Sequence, residues 1–305
     1  MKKVFDFIGY LFFRYLILCV RLTPFCILYL YSDIISFLIF RVLRYRRKVI
    51  DKNLAMCYPE KSEKEKNEIK RKFYKHFTDI LLESFKGYAM PVEKLAKRYT
   101  YENKELTESL YKQGKSMVVA FSHYGNWEWA TQTVLFEHSH HMAALYKPMH
   151  NKYIDNYIKT CRQHRGTYLC PIEKTKFMFA MRNQQHMGFV MLGDQNPSNT
   201  KRGIWVNFMG IDTCVLHGIE MYSKMFNLPV IYLESTKVKR GYYQQHISML
   251  VENPEECAPG EITALYMKKL EESLRREPAY WLWSHKRWKH KRDENGKPER
   301  SNFYD

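Results

Sequence analysis

Short apolar runs that alternate with helical segments are the feature that most constrains the fold of this chain. Helical patterns lie between most of the runs, around residues 154–162 and 217–226. Strands that alternate with helices favour an α/β architecture, with a mixed, largely parallel sheet flanked by helices. The later strands are also compatible with antiparallel pairing. The runs cover residues 117–121, 142–146, 188–192, 230–234 and 247–251.

Two longer helices are predicted around this sheet. Ser62 and Glu65 have the spacing of a capping box, and apolar residues then recur every four positions from Ile69 to Leu81. This pattern is typical of an amphipathic helix that packs on a core. A second amphipathic pattern, over 262–274, predicts the last helix of the domain.

Composition limits the class of protein and of partner. A chain of 305 residues with 45% hydrophobic residues can bury a sizeable core. Its 49 Lys and Arg against 32 Asp and Glu give a net charge of +17, which favours a partner with negative charge. The seven cysteines form no C-x-x-C pair, so we expect reduced thiols in the cytoplasm.

The N-terminal segment indicates that this anionic partner is a membrane. Residues 5–40 are rich in aromatic and aliphatic side chains, although Arg14, Arg21, Pro24 and Asp33 interrupt them. We predict a membrane anchor over 1–45 that either dips into one leaflet or spans the bilayer with its arginines snorkelling. Five basic residues follow within 41–48, which predicts that the next domain faces the cytoplasm. That domain is predicted over 46–292, with a loosely ordered polar tail over 293–305.

The run at 117–121 leads directly into a group of reactive side chains. His123 follows it, Gly125 and Asn126 give a turn signal, and Glu128 comes five residues after the histidine. The turn can bring the carboxylate back toward the imidazole. We therefore predict His123 as a general base and Glu128 as the group that orients it, for attack by a substrate hydroxyl on an activated acyl group.

Two other classes of function compete with this interpretation. A nucleic-acid-binding protein would explain the basic and aromatic runs, but it leaves the N-terminal anchor and the His123 turn without a role. A lipid hydrolase would need a G-x-S-x-G elbow or an H-E-x-x-H helix, and the sequence contains neither.

Residues 123–128 read HYGNWE, which resembles the H-x4-D/E signature of the lysophospholipid acyltransferase superfamily. The H-x-G-N-W-E form is similar to that of the late lipid A acyltransferases. Four further segments resemble this family in the same order, so the similarity covers nearly the whole chain. They are residues 46–54, 146–155, 193–210 and 280–289.

This resemblance implies a glycerolipid-acyltransferase-like fold and a membrane-attached enzyme at the cytoplasmic face of the bacterial inner membrane. Such an enzyme moves a fatty acyl chain from acyl carrier protein, an acidic partner, or from acyl-CoA to a hydroxyl of a lipid A precursor. A lysophospholipid or an aminolipid is the alternative acceptor. A thioester is already activated, so the reaction needs no metal, cofactor or covalent intermediate, and no nucleic-acid partner is expected.

Further residues are predicted to contact substrate. Asn126 either braces the turn or donates within the site, and Asp194 follows a strand end, where α/β proteins place functional groups. The arginines are candidates for the phosphates of an anionic acceptor, and the basic C-terminal run is a candidate for a headgroup or carrier protein. These residues are Arg162, Arg165, Arg202, His285 and Arg287.

Overall fold

A computed structural model describes residues 2–134, 138–163, 167–300 and 304. Its centre is a seven-stranded sheet with the order β1-β9-β8-β2-β5-β3-β4. Neighbouring strands are parallel except β8 and β9, which are antiparallel. The predicted α/β class is confirmed. The strands are β1 (Tyr99–Glu102), β2 (Met117–Phe121), β3 (His141–Tyr146), β4 (Tyr168–Pro171), β5 (Met187–Leu192), β6 (Ile204–Phe208), β7 (Ile211–Val215), β8 (Val230–Lys239), β9 (Tyr242–Val251), β10 (His290–Arg292) and β11 (Pro298–Arg300).

Helices cover both faces of this sheet. The α-helices are α1 (Lys2–Leu22), α2 (Phe25–Phe37), α3 (Arg47–Cys57), α4 (Glu63–Ala89), α5 (Val92–Ala96), α6 (Lys104–Lys112), α7 (Trp127–Thr133), α8 (Lys152–Gln163), α9 (Thr175–Ala180), α10 (Gly218–Phe226) and α11 (Glu261–Arg276). A π-helical turn, Leu38–Val42, continues α2. The predicted capping box opens α4, where Ser62 N donates to Glu65 Oε2 at 2.8 Å.

The strand β2 is central, and this explains why its sequence is apolar without alternation. All five of its residues are buried. Val118 and Ala120 pack into the core on one face of the sheet, and Val119 and Phe121 pack into the core on the other. A strand covered by helices on both faces needs apolar side chains at every position.

The N-terminal segment is a helical hairpin, which we define as α1, α2 and the π-helical turn. It packs along α4, where Lys86 Nζ donates to the carbonyl oxygens of Val20, Arg21 and Thr23 at 2.8, 2.9 and 2.7 Å. Among the described residues, one helical stretch, Phe25–Val42, is long and apolar enough to cross a membrane by length and composition.

The C-terminal tail contains a short hairpin that the sequence pattern did not predict. Pro298–Arg300 pairs with His290–Arg292 in antiparallel orientation. Tyr304 also accepts a hydrogen bond from Trp288 N at 3.2 Å. No apolar pattern marks this hairpin in the sequence, because its strands are short and polar.

Candidate active site

His123 and Asp194 lie side by side at the carboxyl edge of the sheet. The strands β2 and β5 are parallel neighbours, and Phe121 is in register with Leu192. His123 and Asp194 each lie two residues after the end of their strand. His123 Nδ1 lies 2.8 Å from Asp194 Oδ1, and the backbone N–H of His123 donates to Asp194 Oδ2 at 3.0 Å.

The predicted contact between Glu128 and the imidazole is wrong. Glu128 lies in the first turn of α7, which begins at Trp127. Glu128 Oε2 instead accepts hydrogen bonds from Arg162 Nη2 at 2.7 Å and from Tyr88 Oη at 3.2 Å. Asp194 orients the histidine in its place.

A tryptophan from the C-terminal segment holds Asp194. Trp281 Nε1 donates to Asp194 Oδ2 at 2.9 Å, and Asp194 is 1% exposed. Burial disfavours the charged carboxylate, but the His123 imidazole and the N–H groups of His123 and Trp281 outweigh this effect. The pKa of Asp194 is therefore lowered, and the carboxyl stays ionised at neutral pH. The sequence predicted that Asp194 contacts substrate, which stays a prediction, and the structure adds its contact with His123.

Asn126 braces the turn. Its Oδ1 accepts the hydrogen bond of Trp129 N at 3.0 Å, which caps α7, and its Nδ2 donates to Glu83 Oε2 at 2.7 Å. The side chain is fully buried. Of the two predicted roles for Asn126, these contacts agree with the brace of the turn, and a contact with substrate stays a prediction.

A cavity of about 860 Å³ opens onto this edge of the sheet. Apolar side chains of α4, α8 and α10 form much of its wall. Its polar residues include His123, Glu128, Arg162, Gln195 and Arg202. The volume lies in the range of sites that enclose small organic molecules, and the apolar wall suits aliphatic chains.

The other predicted substrate residues divide into three groups. Arg162 and Arg202 line the cavity, whereas Arg165 lies outside the described residues. His285 and Arg287 contact protein groups, and a contact of either residue with substrate stays a prediction. His285 Nε2 accepts from Asn196 N at 3.0 Å, and the Arg287 guanidinium, 1% exposed, donates to the Cys214 carbonyl at 2.7 Å.

Burial shifts the pKa of both of these C-terminal residues. It lowers the pKa of His285 to about 4, with a further contribution from the nearby Arg287 charge. It also lowers the pKa of Arg287 to about 10. Neutral His285 can accept a hydrogen bond, so it fixes the loop that follows Asp194.

Three residues of the site were missed in the sequence. Gln195 Nε2 lies 3.3 Å from His123 Nε2, Tyr88 Oη contacts the Glu128 and Arg162 pair, and Trp281 holds Asp194. Gln195 follows Asp194 directly, so its position was a usable signal. Trp281 and Tyr88 are far from His123 along the chain, and no spacing rule connects them to it.

The hydrogen bonds fix which nitrogen of His123 can act as a base. An ionised carboxylate only accepts, so Nδ1 carries the hydrogen that faces Asp194. The lone pair is then on Nε2, on the side of the cavity where Gln195 donates. A neutral imidazole in this tautomer can take a proton from a hydroxyl bound in the cavity.

An imidazole held by a carboxylate beside a largely apolar cavity is an arrangement that suits an enzyme with an aliphatic substrate. Residues 2–290 match the model of the bacterial lipid A biosynthesis acyltransferases, and the chain belongs to that family. It is an acyltransferase of lipid A biosynthesis, which decides between the competing classes. A curated relative is the lipid A biosynthesis lauroyltransferase of Escherichia coli (strain K12), 22% identical over 273 residues that cover 87% of this chain and 86% of the relative.

Proposed function

We propose that this enzyme transfers a fatty acyl chain from a carrier-bound thioester to a hydroxyl of a lipid A precursor, with His123 as the general base. The observation that carries the proposal is the position of the imidazole. Asp194 holds Nδ1 at 2.8 Å, and His123 lines the cavity of about 860 Å³. This is the arrangement that a base for a lipid hydroxyl requires.

The proposed reaction moves one proton through one imidazole. Nε2 takes the proton of the acceptor hydroxyl while that oxygen attacks the thioester carbonyl carbon. The ionised Asp194 stabilises the imidazolium that forms. The carbon–sulfur bond then breaks, and the imidazolium returns the proton to the leaving thiolate, so the histidine ends neutral.

We assign Glu128 to positioning Arg162. Their ion pair, with N···O at 2.7 Å, lies in the cavity wall, and the Arg162 side chain is 16% exposed. The ion pair fixes the direction of the guanidinium, whose planar N–H groups suit a phosphate or a developing oxyanion. Arg202, Lys147 and Lys159 add further cationic groups to the wall, which favours an anionic lipid acceptor.

The net charge of the chain and its apolar N-terminal surface support a proposal for the acyl donor and for the location of the enzyme. A net charge of +17 favours an acidic acyl carrier protein over a neutral donor, with acyl-CoA as the other anionic thioester. The apolar N-terminal hairpin and the basic residues of 41–48 favour attachment at the cytoplasmic face of the bacterial inner membrane.

The test is acyl transfer by the purified full chain, followed by mass spectrometry of the lipid. Acyl carrier protein thioesters and acyl-CoA of several chain lengths are each offered with a lipid A precursor, a lysophospholipid or an aminolipid. We expect one added acyl chain on the lipid A precursor, and fastest transfer from the carrier protein. Faster acylation of either other acceptor, or thioester hydrolysis without transfer, would contradict the proposal.

A further inference from the structure

The N-terminal hairpin carries a continuous apolar face that no described part of the chain covers. We define the hairpin face by side chains at least half exposed. In α1 and α2 these recur at helical spacing, so that they form one stripe along each helix. They include Phe5, Phe12, Leu22, Leu30, Ile34 and Phe37.

The opposite side of the hairpin is fixed to the catalytic domain by polar contacts. Ser32 Oγ donates to the buried carboxylate of Asp79 at 2.7 Å, and Tyr29 Oη donates to Glu83 Oε1 at 2.8 Å. The hairpin therefore cannot tilt independently of α4, which supplies both carboxylates.

A charged cluster lies at the middle of the stretch that is apolar enough to span. Asp33 is the ninth of the 18 residues in Phe25–Val42, and its side chain is 42% exposed. It pairs with Lys75 Nζ at 3.2 Å and with Arg240 Nη2 at 2.7 Å. Burial disfavours its charge, but Arg240 and Lys75 outweigh this and lower the pKa of Asp33, so it stays ionised.

A spanning orientation would move this cluster into hydrocarbon. A helix of 18 residues is about 27 Å long, close to the thickness of a bilayer core, so Asp33 would lie near its centre. Lys75, with a side chain 52% exposed, and Arg240 would move there with it. Charged side chains at that depth are unfavourable, and they are rare there unless they face the interior of a protein or a water-filled cavity.

We propose that the hairpin lies flat in one leaflet of the bilayer, with the hairpin face toward the acyl chains and the Asp33 cluster at the level of the headgroups. The occupant of the hairpin face is thus lipid, and neither α1 nor α2 crosses the membrane. This inference rests on the proposed membrane location of the enzyme and adds its geometry.

The cavity lies beside the hairpin, so the flat orientation would hold the cavity close to the membrane lipids. Phe13 of α1 packs against Phe85 of α4 and Tyr157 of α8, with ring centroids 5.9 and 5.8 Å apart. Residues of α4 and α8 line the cavity. Leu81 of α4 is one of them, and 44% of its surface is exposed. A lipid in the same leaflet can therefore reach the cavity sideways without leaving the bilayer.

The first experiment uses a native thiol at the turn between α1 and α2. Cys26 is exposed there, and Lys268→Cys adds an exposed reporter on α11 of the catalytic domain. Spheroplasts that express the full chain are treated with a membrane-impermeant maleimide before and after detergent. Mass spectrometry then measures the modified fraction of each cysteine peptide.

We expect neither cysteine to react in intact spheroplasts and both to react after detergent. Reaction of Cys26 alone in intact spheroplasts would place the turn across the membrane and overturn the flat hairpin. Reaction of both cysteines would keep the turn and the domain on one side, which supports the hairpin geometry while overturning the proposed cytoplasmic face.

The second experiment tests lipid as the occupant of the hairpin face. The purified full chain is floated with vesicles of neutral and anionic phospholipid. A variant with Phe12→Glu and Phe37→Glu is compared with a control variant that carries Lys112→Gln and Lys268→Gln. Both pairs change the net charge by −2, but only the first alters the hairpin face. We expect at least a tenfold loss of vesicle binding for the first pair only. Unchanged vesicle binding together with loss of a dimer would identify a second copy as the occupant and overturn the proposal.

Discussion

His123 Nδ1 and Asp194 Oδ1 are 2.8 Å apart although 71 residues separate them in the sequence. Parallel pairing of β2 with β5 brings them together, because each follows its strand by two residues. The carboxylate that contacts the imidazole therefore follows the neighbouring strand. Glu128, five residues after the histidine, pairs instead with Arg162 in the cavity wall.

Replacement of His123 by alanine is expected to lower kcat about 10²- to 10⁴-fold, since the proton of the acceptor hydroxyl would lose its base. The side chain is 20% exposed, so the fold should survive. Steady-state acyl transfer and circular dichroism of the same sample check this. Full activity of a folded His123→Ala variant would refute the assignment.

Substitutions of the two carboxylates are expected to have different kinetic effects. Asp194→Asn removes the charge that stabilises the imidazolium, so kcat should fall about 10²-fold or more. Glu128→Gln weakens the hold on Arg162 but leaves the histidine oriented, so we expect a larger rise in KM than fall in kcat. Kinetics at varied acceptor concentration separate the two effects, and the reverse pattern would restore Glu128 as the orienting acid.

Trp281→Phe tests the tryptophan that holds Asp194. The variant keeps an aromatic ring but loses the 2.9 Å hydrogen bond, so kcat should fall about tenfold. Trp283→Phe is the matched control, because its Nε1 donates at 2.6 Å to the Pro278 carbonyl. Both variants should lose about 1 kcal/mol of stability by thermal unfolding. Equal kcat values for the two variants would show that Trp281 stabilises the fold and does not contribute to catalysis.

His285 is expected to make the protein less stable in mild acid. Its pKa is lowered to about 4 in the fold, so the unfolded chain takes up a proton near pH 6.5 that the folded chain does not. Stability should therefore fall from pH 6.5 toward pH 4, by up to about 2 kcal/mol from this residue at pH 5. His285→Gln should reduce that loss and His150→Gln, at an exposed position, should not; unfolding at pH 7.5 and 5 measures both.

Arg240 joins the hairpin to the domain through Asp33 and the fully buried Asp79. Arg240→Leu leaves Asp79 without its closest cation, so we expect a loss of about 3 kcal/mol in unfolding free energy. Arg292→Leu breaks a pair with Asp212 whose side chains are 42% and 43% exposed, and should cost less than about 1 kcal/mol. Equal losses of unfolding free energy for the two variants, measured by chemical denaturation, would show that the buried cluster contributes no more to stability than the exposed pair does.

The sequence by itself determined the α/β class, the central strand β2, the capped helix α4 and His123 as the base candidate. Each of these depends on local patterns, such as an unbroken apolar run, a Ser62 and Glu65 spacing, or a histidine beside a turn. Similarity along the whole chain added the family. Short strands such as β1 and β4 carry too few residues to give a periodic signal.

Only the tertiary structure decided which carboxylate orients His123 and what Trp281, His285 and Arg287 contact. Strand order places β5 beside β2, and a sequence pattern does not encode strand order because any two strands of similar composition can pair. Tertiary packing likewise decided the partner of Glu128, because Arg162 is 34 residues away from it in the sequence. Local features such as helices, strands and the candidate histidine could thus be predicted from the sequence. Contacts between residues far apart in the sequence were decided by tertiary packing.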